Sequence, residues 1–98
     1  MVTQSVNFVR IRLTDERWTH ILTEHGELLG WHELILQTVA SPDRVLAGGM
    51  DELLAVREVN PGKWLVVVYK EQGADGFIIT AFLTRRAASL NRRQQVWP

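Results

Sequence analysis

Three apolar runs separated by short turns constrain the fold of this chain more than any other feature. The runs span residues 53–59, 64–70 and 77–83. The Asn60-Pro61-Gly62 turn joins the first two, because proline fixes φ and glycine permits positive φ. Consecutive strands joined by short turns form an antiparallel meander. The sequence therefore predicts an antiparallel sheet, to which residues 44–47 add a further short strand.

The first half of the chain predicts one strand and two helices. Alternating apolar residues over 6–13 indicate a strand with one buried face. A helix is expected from the capping residue Thr14 to Gly26, and another over 30–40. The first helix has an apolar side at helical spacing, formed by Trp18, Ile21, Leu22 and His25. The expected fold class is therefore α+β, with two N-terminal helices packed on a twisted antiparallel sheet of about four strands.

Length and composition indicate one small folded domain. The chain has 98 residues, of which 46% are hydrophobic and 22% are charged. It has no cysteine, which excludes disulfides and thiolate sites and suits the reducing cytoplasm, where we expect the protein to act. No signal peptide or membrane-spanning run is recognisable. We expect the domain to occupy residues 1–85 and a basic tail to occupy residues 86–98.

The uneven charge distribution leaves two interpretations of the C-terminal segment open. The formal net charge is zero, but every Asp and Glu lies between residues 15 and 75. Four arginines follow: Arg85, Arg86, Arg92 and Arg93. They form either a solvated tail or a surface that binds RNA phosphates. Removal of the tail is expected to leave the fold intact and to weaken phosphate binding.

Four side chains on predicted elements match the requirements of RNA cleavage without a metal: His25, Arg57, Lys70 and Thr80. An imidazole can transfer the ribose proton, while cations and a hydroxyl stabilise charge on the phosphate. Each also has a simpler interpretation. His25 can complete a helix end, Arg57 and Lys70 can reach solvent, and threonine favours strands. His20 is a nearby candidate, but its spacing of five from His25 does not favour a metal site.

A family resemblance rests on five segments of the sequence. They are Glu-Arg-Trp-x-His-Ile-x-x-x-His at 16–25, Glu27-Leu28, Thr38-Val39-x-x-Pro42-Asp43-x-Val45, Leu65-Val66-Val67-Val68-Tyr69 and Gly76-Phe77-Ile78-Ile79-Thr80-Ala81-Phe82. Together they resemble the phage- and plasmid-associated barnase–EndoU–colicin–RelE-like (BECR) nuclease domains over residues 10–85. The resemblance implies helices packed on a small antiparallel sheet.

The same resemblance implies a metal-independent endoribonuclease of the toxin or effector type. Such an enzyme would cleave RNA by attack of the 2′-hydroxyl and would need no cofactor. His25 would be the catalytic histidine with His20 beside it, Arg57 and Lys70 would supply cations, and Thr80 would supply the hydroxyl. An antitoxin or immunity protein would be a further partner.

Two other classes of function stay open. One is a binding module for RNA or protein that has the same fold without the catalytic activity. The other is a small homodimeric protein whose four tryptophans serve packing and interfaces. Salt-sensitive RNA binding without cleavage would indicate the binding module.

Overall fold

A computed structural model describes residues Met1 to Pro98 and contains one seven-stranded sheet. The strands are β1 (Val2–Gln4), β2 (Arg10–Arg12), β3 (Arg44–Ala47), β4 (Leu53–Asn60), β5 (Lys63–Gln72), β6 (Asp75–Thr84) and β7 (Gln95–Trp97). The helices are α1 (Asp15–Glu24), α2 (His32–Ala40) and α3 (Ala87–Asn91), and a single 3-10 turn spans Gly26–Leu28. The longest helix has ten residues, and no membrane-spanning helix is found.

The strand order across the sheet is β1-β2-β6-β5-β4-β3-β7. Strands β3 to β6 form the predicted antiparallel meander. Strand β2 instead pairs in parallel with β6, and β1 pairs antiparallel with β2. Parallel strands need a long connection, and the chain between β2 and the meander contains α1 and α2. The crossover therefore explains why the sheet is mixed.

The expected sheet of about four antiparallel strands under two N-terminal helices is wrong. The sheet has seven strands in mixed orientation, and there are three short helices. Strands β1 and β7 have three residues each. Alternation of apolar and polar residues cannot be recognised over so few positions, and the parallel pairing depends on contacts between distant segments. Residues 86–98, expected as a basic tail, contain α3 and the edge strand β7.

Helices α1 and α2 cover one face of the sheet, here called the inner face. Thr14 caps α1, since its hydroxyl accepts a hydrogen bond of 3.1 Å from the amide of Arg17. The helices and the sheet bury a cluster of 12 apolar residues, which includes Ile21, Ile35 and Val67. This larger core holds α1 in place and so sets the position of the residues at its C-terminal end.

A smaller core lies on the opposite, outer face. Leu90 of α3 packs there in a cluster of six residues that includes Leu46, Val56 and Val66. Since α3 connects the end of β6 to β7 beyond β3, it crosses the sheet above β5, β4 and β3. The outer faces of β6 and β2 are left without a covering helix.

Tyr69 is buried on the inner face, and its hydroxyl has no hydrogen-bond partner. Burial, with a smaller contribution from the negative charge of Glu71, raises the pKa of the Tyr69 hydroxyl well above its usual range. In the unfolded chain a tyrosine ionises near about pH 10. The stability tied to this group is therefore complete below that pH and is lost as the pH rises above it.

We expect Tyr69→Phe to raise the free energy of unfolding at neutral pH by about 1 kcal/mol, because it removes an unsatisfied buried hydroxyl. The variant should also lose the part of the alkaline destabilisation that comes from this group. Urea denaturation at neutral and alkaline pH measures both effects. The chain has a single tyrosine, so ultraviolet absorbance of tyrosinate reports on Tyr69 alone. Ionisation near pH 10 in a still-folded protein, a value about that of a free tyrosine, would contradict the prediction.

Candidate functional site

The uncovered part of the outer face carries partly exposed aromatic and polar side chains. Outward-facing residues of β6 are Phe77, Ile79, Thr80, Phe82 and Thr84. A register shift opposite Val68 and Tyr69 brings Ile79 and Thr80 to the same side. We call these five side chains, together with Lys70 of β5 and Arg12 of β2, the open surface.

Cations outnumber anions around the open surface. Lys70 lies opposite Phe77 on the neighbouring strand. Arg10 and Arg12 of β2 both contact the carboxylate of Asp75, at 4.0 and 3.3 Å. Two guanidinium groups thus share one carboxylate, and Lys70 makes no ion pair. The surface has a local positive charge although the chain as a whole is neutral.

His25 lies at the margin of the open surface. It follows the last residue of α1, and its amide donates a hydrogen bond of 2.7 Å to the carbonyl of Ile21. Its ring centroid is 6.3 Å from that of Phe82. The side chain is 30% exposed, and Nδ1 is 3.6 Å from Oε1 of Glu27. His25 therefore completes a helix end and also reaches the surface beside β6.

Three of the four predicted catalytic residues are associated with the open surface. Thr80 lies two residues from Phe82 on the same face of β6, a separation of about 7 Å along the strand. Thr80 is opposite Val68, and Lys70 is two residues farther along β5. No hydrogen bond joins His25, Thr80 and Lys70 to one another. They surround a surface and do not form a closed cleft.

Arg57 lies on the other side of the sheet. Arg57 is opposite Leu65. Ala55, two residues earlier in β4, is opposite Val67, and all three of Ala55, Leu65 and Val67 belong to the inner core. Successive side chains alternate between the faces of a strand, so Arg57 belongs to the inner face. The sheet thus separates Arg57 from Lys70 and Thr80, and one phosphate cannot contact all three side chains.

His20 lies on the solvent side of α1, away from the open surface. Its Nε2 is 2.7 Å from Oε1 of Glu24, one helical turn later. The same side of α1 forms a shallow polar groove of about 460 Å³ that includes Arg17 and Thr23. No group of three or more His, Cys, Asp or Glu side chains is arranged to hold a metal ion.

The four C-terminal arginines are divided into two pairs by α3. Arg85 and Arg86 directly follow β6 and are exposed beside the open surface. Arg92 and Arg93 follow α3, and the Arg93 guanidinium donates a hydrogen bond of 3.4 Å to the carbonyl of Ala47 in β3. Only the first pair is placed to extend the positive charge around β6.

Sequence reasoning missed the aromatic residues of this face. The sequence predicts a strand that contains Phe77 and Phe82 but indicates no role for their rings or for Phe8. Phe8 lies between β1 and β2 and is 81% exposed. The available signal was that Phe8 occupies a position on the polar side of the alternation formed by Val9, Ile11 and Leu13.

Partly exposed aromatic rings beside an excess of cations are suited to polyanions with flat bases. Single-stranded nucleic acids are bound in this way, by stacking on aromatic side chains and by contacts to phosphates. A duplex offers only base edges within its grooves, whereas stacking on an aromatic side chain requires an unstacked base. No family model, no curated protein and no solved structure matches this chain.

Proposed function

We propose that this protein binds single-stranded RNA on the open surface. The observation that carries the proposal is the presence of Phe77 and Phe82 on one strand, partly exposed, with the unpaired cation Lys70 alongside. Aromatic rings stack on bases of any sequence, and cations neutralise phosphates. The cytoplasm, where RNA is abundant, is the compartment in which this function would operate.

The charge of the chain predicts the strength of the salt dependence. Because the net charge is zero, attraction to RNA must come from the local cations, chiefly Lys70, Arg85 and Arg86. Three phosphate contacts on a single strand correspond to a slope of about −2 in a plot of log affinity against log salt concentration. A much steeper slope would indicate phosphate contacts beyond this surface.

Salt-dependent binding of a labelled oligouridylate tests the proposal. We expect Lys70→Gln to weaken binding and to reduce the salt slope by about 0.7. Phe82→Leu should keep the apolar contact with the outer core but weaken binding about tenfold, the loss of one stacked base. Arg17→Gln is the matched control, because Arg17 is an unpaired cation on α1, away from this surface. Equal losses for Arg17→Gln and Lys70→Gln would contradict the proposal.

RNA cleavage is the second candidate, and the position of His25 beside Phe82 favours it. In this reaction His25 takes the proton of a ribose 2′-hydroxyl, and the freed oxygen attacks the adjacent phosphorus. The bond from phosphorus to the 5′ oxygen breaks, and that oxygen takes up a proton from water, while the imidazolium of His25 returns its proton to the solvent. The products are a 2′,3′-cyclic phosphate and a 5′-hydroxyl end. Arg57 has no part in this version, because it lies on the inner face.

A cleavage assay in excess EDTA separates binding from catalysis. Cyclic ends that form with the wild type and are absent with His25→Ala would establish the nuclease. His20→Ala is the control, since His20 is paired with Glu24 on the solvent side of α1. Binding without cleavage by a folded wild type, over a broad set of RNAs, would leave the binding function and exclude the catalytic one.

A further inference from the structure

The loop between β1 and β2 holds an aromatic ring out in solvent at a cost in stability. Phe8 is 81% exposed, and its φ is 64°. This left-handed conformation is unfavourable for a residue with a bulky side chain. An exposed ring also makes few packing contacts that would offset the strain. Folding alone therefore gives no reason for phenylalanine at this position.

Hydrogen bonds fix the loop around Phe8. The buried hydroxyl of Ser5 donates to Oε2 of Glu71 at 2.5 Å and accepts from the amides of Asn7 and Val9, both at 3.3 Å. The amide of Phe8 donates to the Ser5 carbonyl at 2.9 Å. The ring is thus presented by a pinned backbone.

A shallow groove of about 470 Å³ runs beside this ring. Its lining combines apolar and polar side chains: Val2, Thr3, Gln4, Phe8, Arg10 and Ala74. The side-chain amide of Gln4 donates to the Phe8 carbonyl at 3.3 Å, which leaves its own oxygen free to accept. An aromatic ring, a guanidinium and an amide are the groups that contact the base and the phosphate of a nucleotide.

The groove is continuous with the open surface. Arg10 and Arg12 point to the same face of β2, and β2 is paired with the start of β6. Strand spacing and rise place Phe8 on the order of 15 Å from Phe77. An RNA strand on β6 that continues toward the turn after β5 reaches this groove, and the shared Arg10–Arg12–Asp75 cluster keeps the path positive.

The geometry points to a nucleotide-binding subsite at this groove, in which Phe8 stacks on a base of single-stranded RNA and Arg10 contacts the adjoining phosphate. This inference rests on the proposed RNA binding and extends the RNA site from the open surface to the groove beside β1 and β2. It explains why a strained loop carries an exposed aromatic residue.

Binding of a fluorescein-labelled oligouridylate of about 12 nucleotides tests the subsite. We expect Phe8→Asn to weaken binding about tenfold, the loss of one stacked base, and Phe8→Tyr to bind like the wild type. Phe8→Asn should fold at least as stably as the wild type, because asparagine tolerates the left-handed conformation. Leu29→Asn is the control, since Leu29 is 74% exposed and lies at the end of the 3-10 turn, outside the groove.

Wild-type affinity of Phe8→Asn would overturn the subsite. If Lys70→Gln and Phe82→Leu weaken binding in the same assay, RNA binding stands and only the subsite fails. Absence of RNA binding by the wild type removes both proposals. Sedimentation equilibrium, which measures the oligomeric state, can also contradict the subsite. If Phe8→Asn converts a dimer to a monomer without changing RNA affinity, the groove serves self-association instead.

Discussion

Gly76→Ala is expected to lower the free energy of unfolding by about 3 kcal/mol or more, the upper range for overpacking of a dense core. Gly76 lies in β6 between Glu71 of β5 and Ile11 of β2. An added Cβ would be 2.3 Å from the carbonyl oxygen of Lys70 and 2.7 Å from Cδ1 of Ile11. The first of these is a backbone atom in the middle of the sheet, so it cannot move without breaking strand pairing.

Thermal and urea denaturation measure this effect. In a domain of this size a loss of 3 kcal/mol corresponds to a decrease in Tm of roughly 15 °C. Gly49→Ala is the matched control, because no atom lies within 4 Å of its added Cβ and its φ is not positive. That variant should remain within about 0.5 kcal/mol of the wild type. Equal stability of the two variants would show that the backbone of β5 and the side chain of Ile11 do not approach Gly76 as described.

The sequence predicts the long elements of this fold well because they carry enough residues for periodicity to be recognised. The expected strand over 64–70 lies within β5, and the helix expected after Thr14 is α1. Strands β1 and β7 were not predicted, since each has three residues and depends on pairing with a distant segment. The parallel pairing of β2 with β6 was not predicted either. It depends on the path of the chain through α1 and α2, which brings distant segments together.

The candidate site was harder to predict because it depends on the register between strands. Alternation assigns Arg57 to one face of β4 and Lys70 to one face of β5. Only the pairing of Ala55 with Val67 shows that the two residues lie on opposite faces of the sheet. Strict alternation in β6 would also put Ile78 with Thr80. The register shift near Val68 breaks this rule, so that Ile78 is buried in the inner core.

The extent of the proposed RNA surface depends on where α3 packs on the sheet. The sequence indicates which residue types are present, while the open surface exists because α3 covers only β5, β4 and β3. If α3 did not pack there, the apolar outer residues of these strands would join Phe77 and Phe82 in one large exposed patch. Such patches promote self-association. The C-terminal segment therefore limits the exposed apolar area as well as stabilising the sheet.

Leu90→Ala is accordingly expected to lower the free energy of unfolding by about 2 to 3 kcal/mol. Leu90 is 4% exposed and is the residue of α3 that packs in the outer core with Val56 and Val66. Urea denaturation measures the loss, and binding of a hydrophobic dye should increase as the outer core is uncovered. Leu29→Ala is the control, because Leu29 is 74% exposed and its truncation should cost less than about 0.5 kcal/mol. If Leu90→Ala were as stable as the wild type, the packing of α3 would not stabilise the sheet, and residues 86–98 would be dispensable for folding, as the sequence alone predicts for a basic tail.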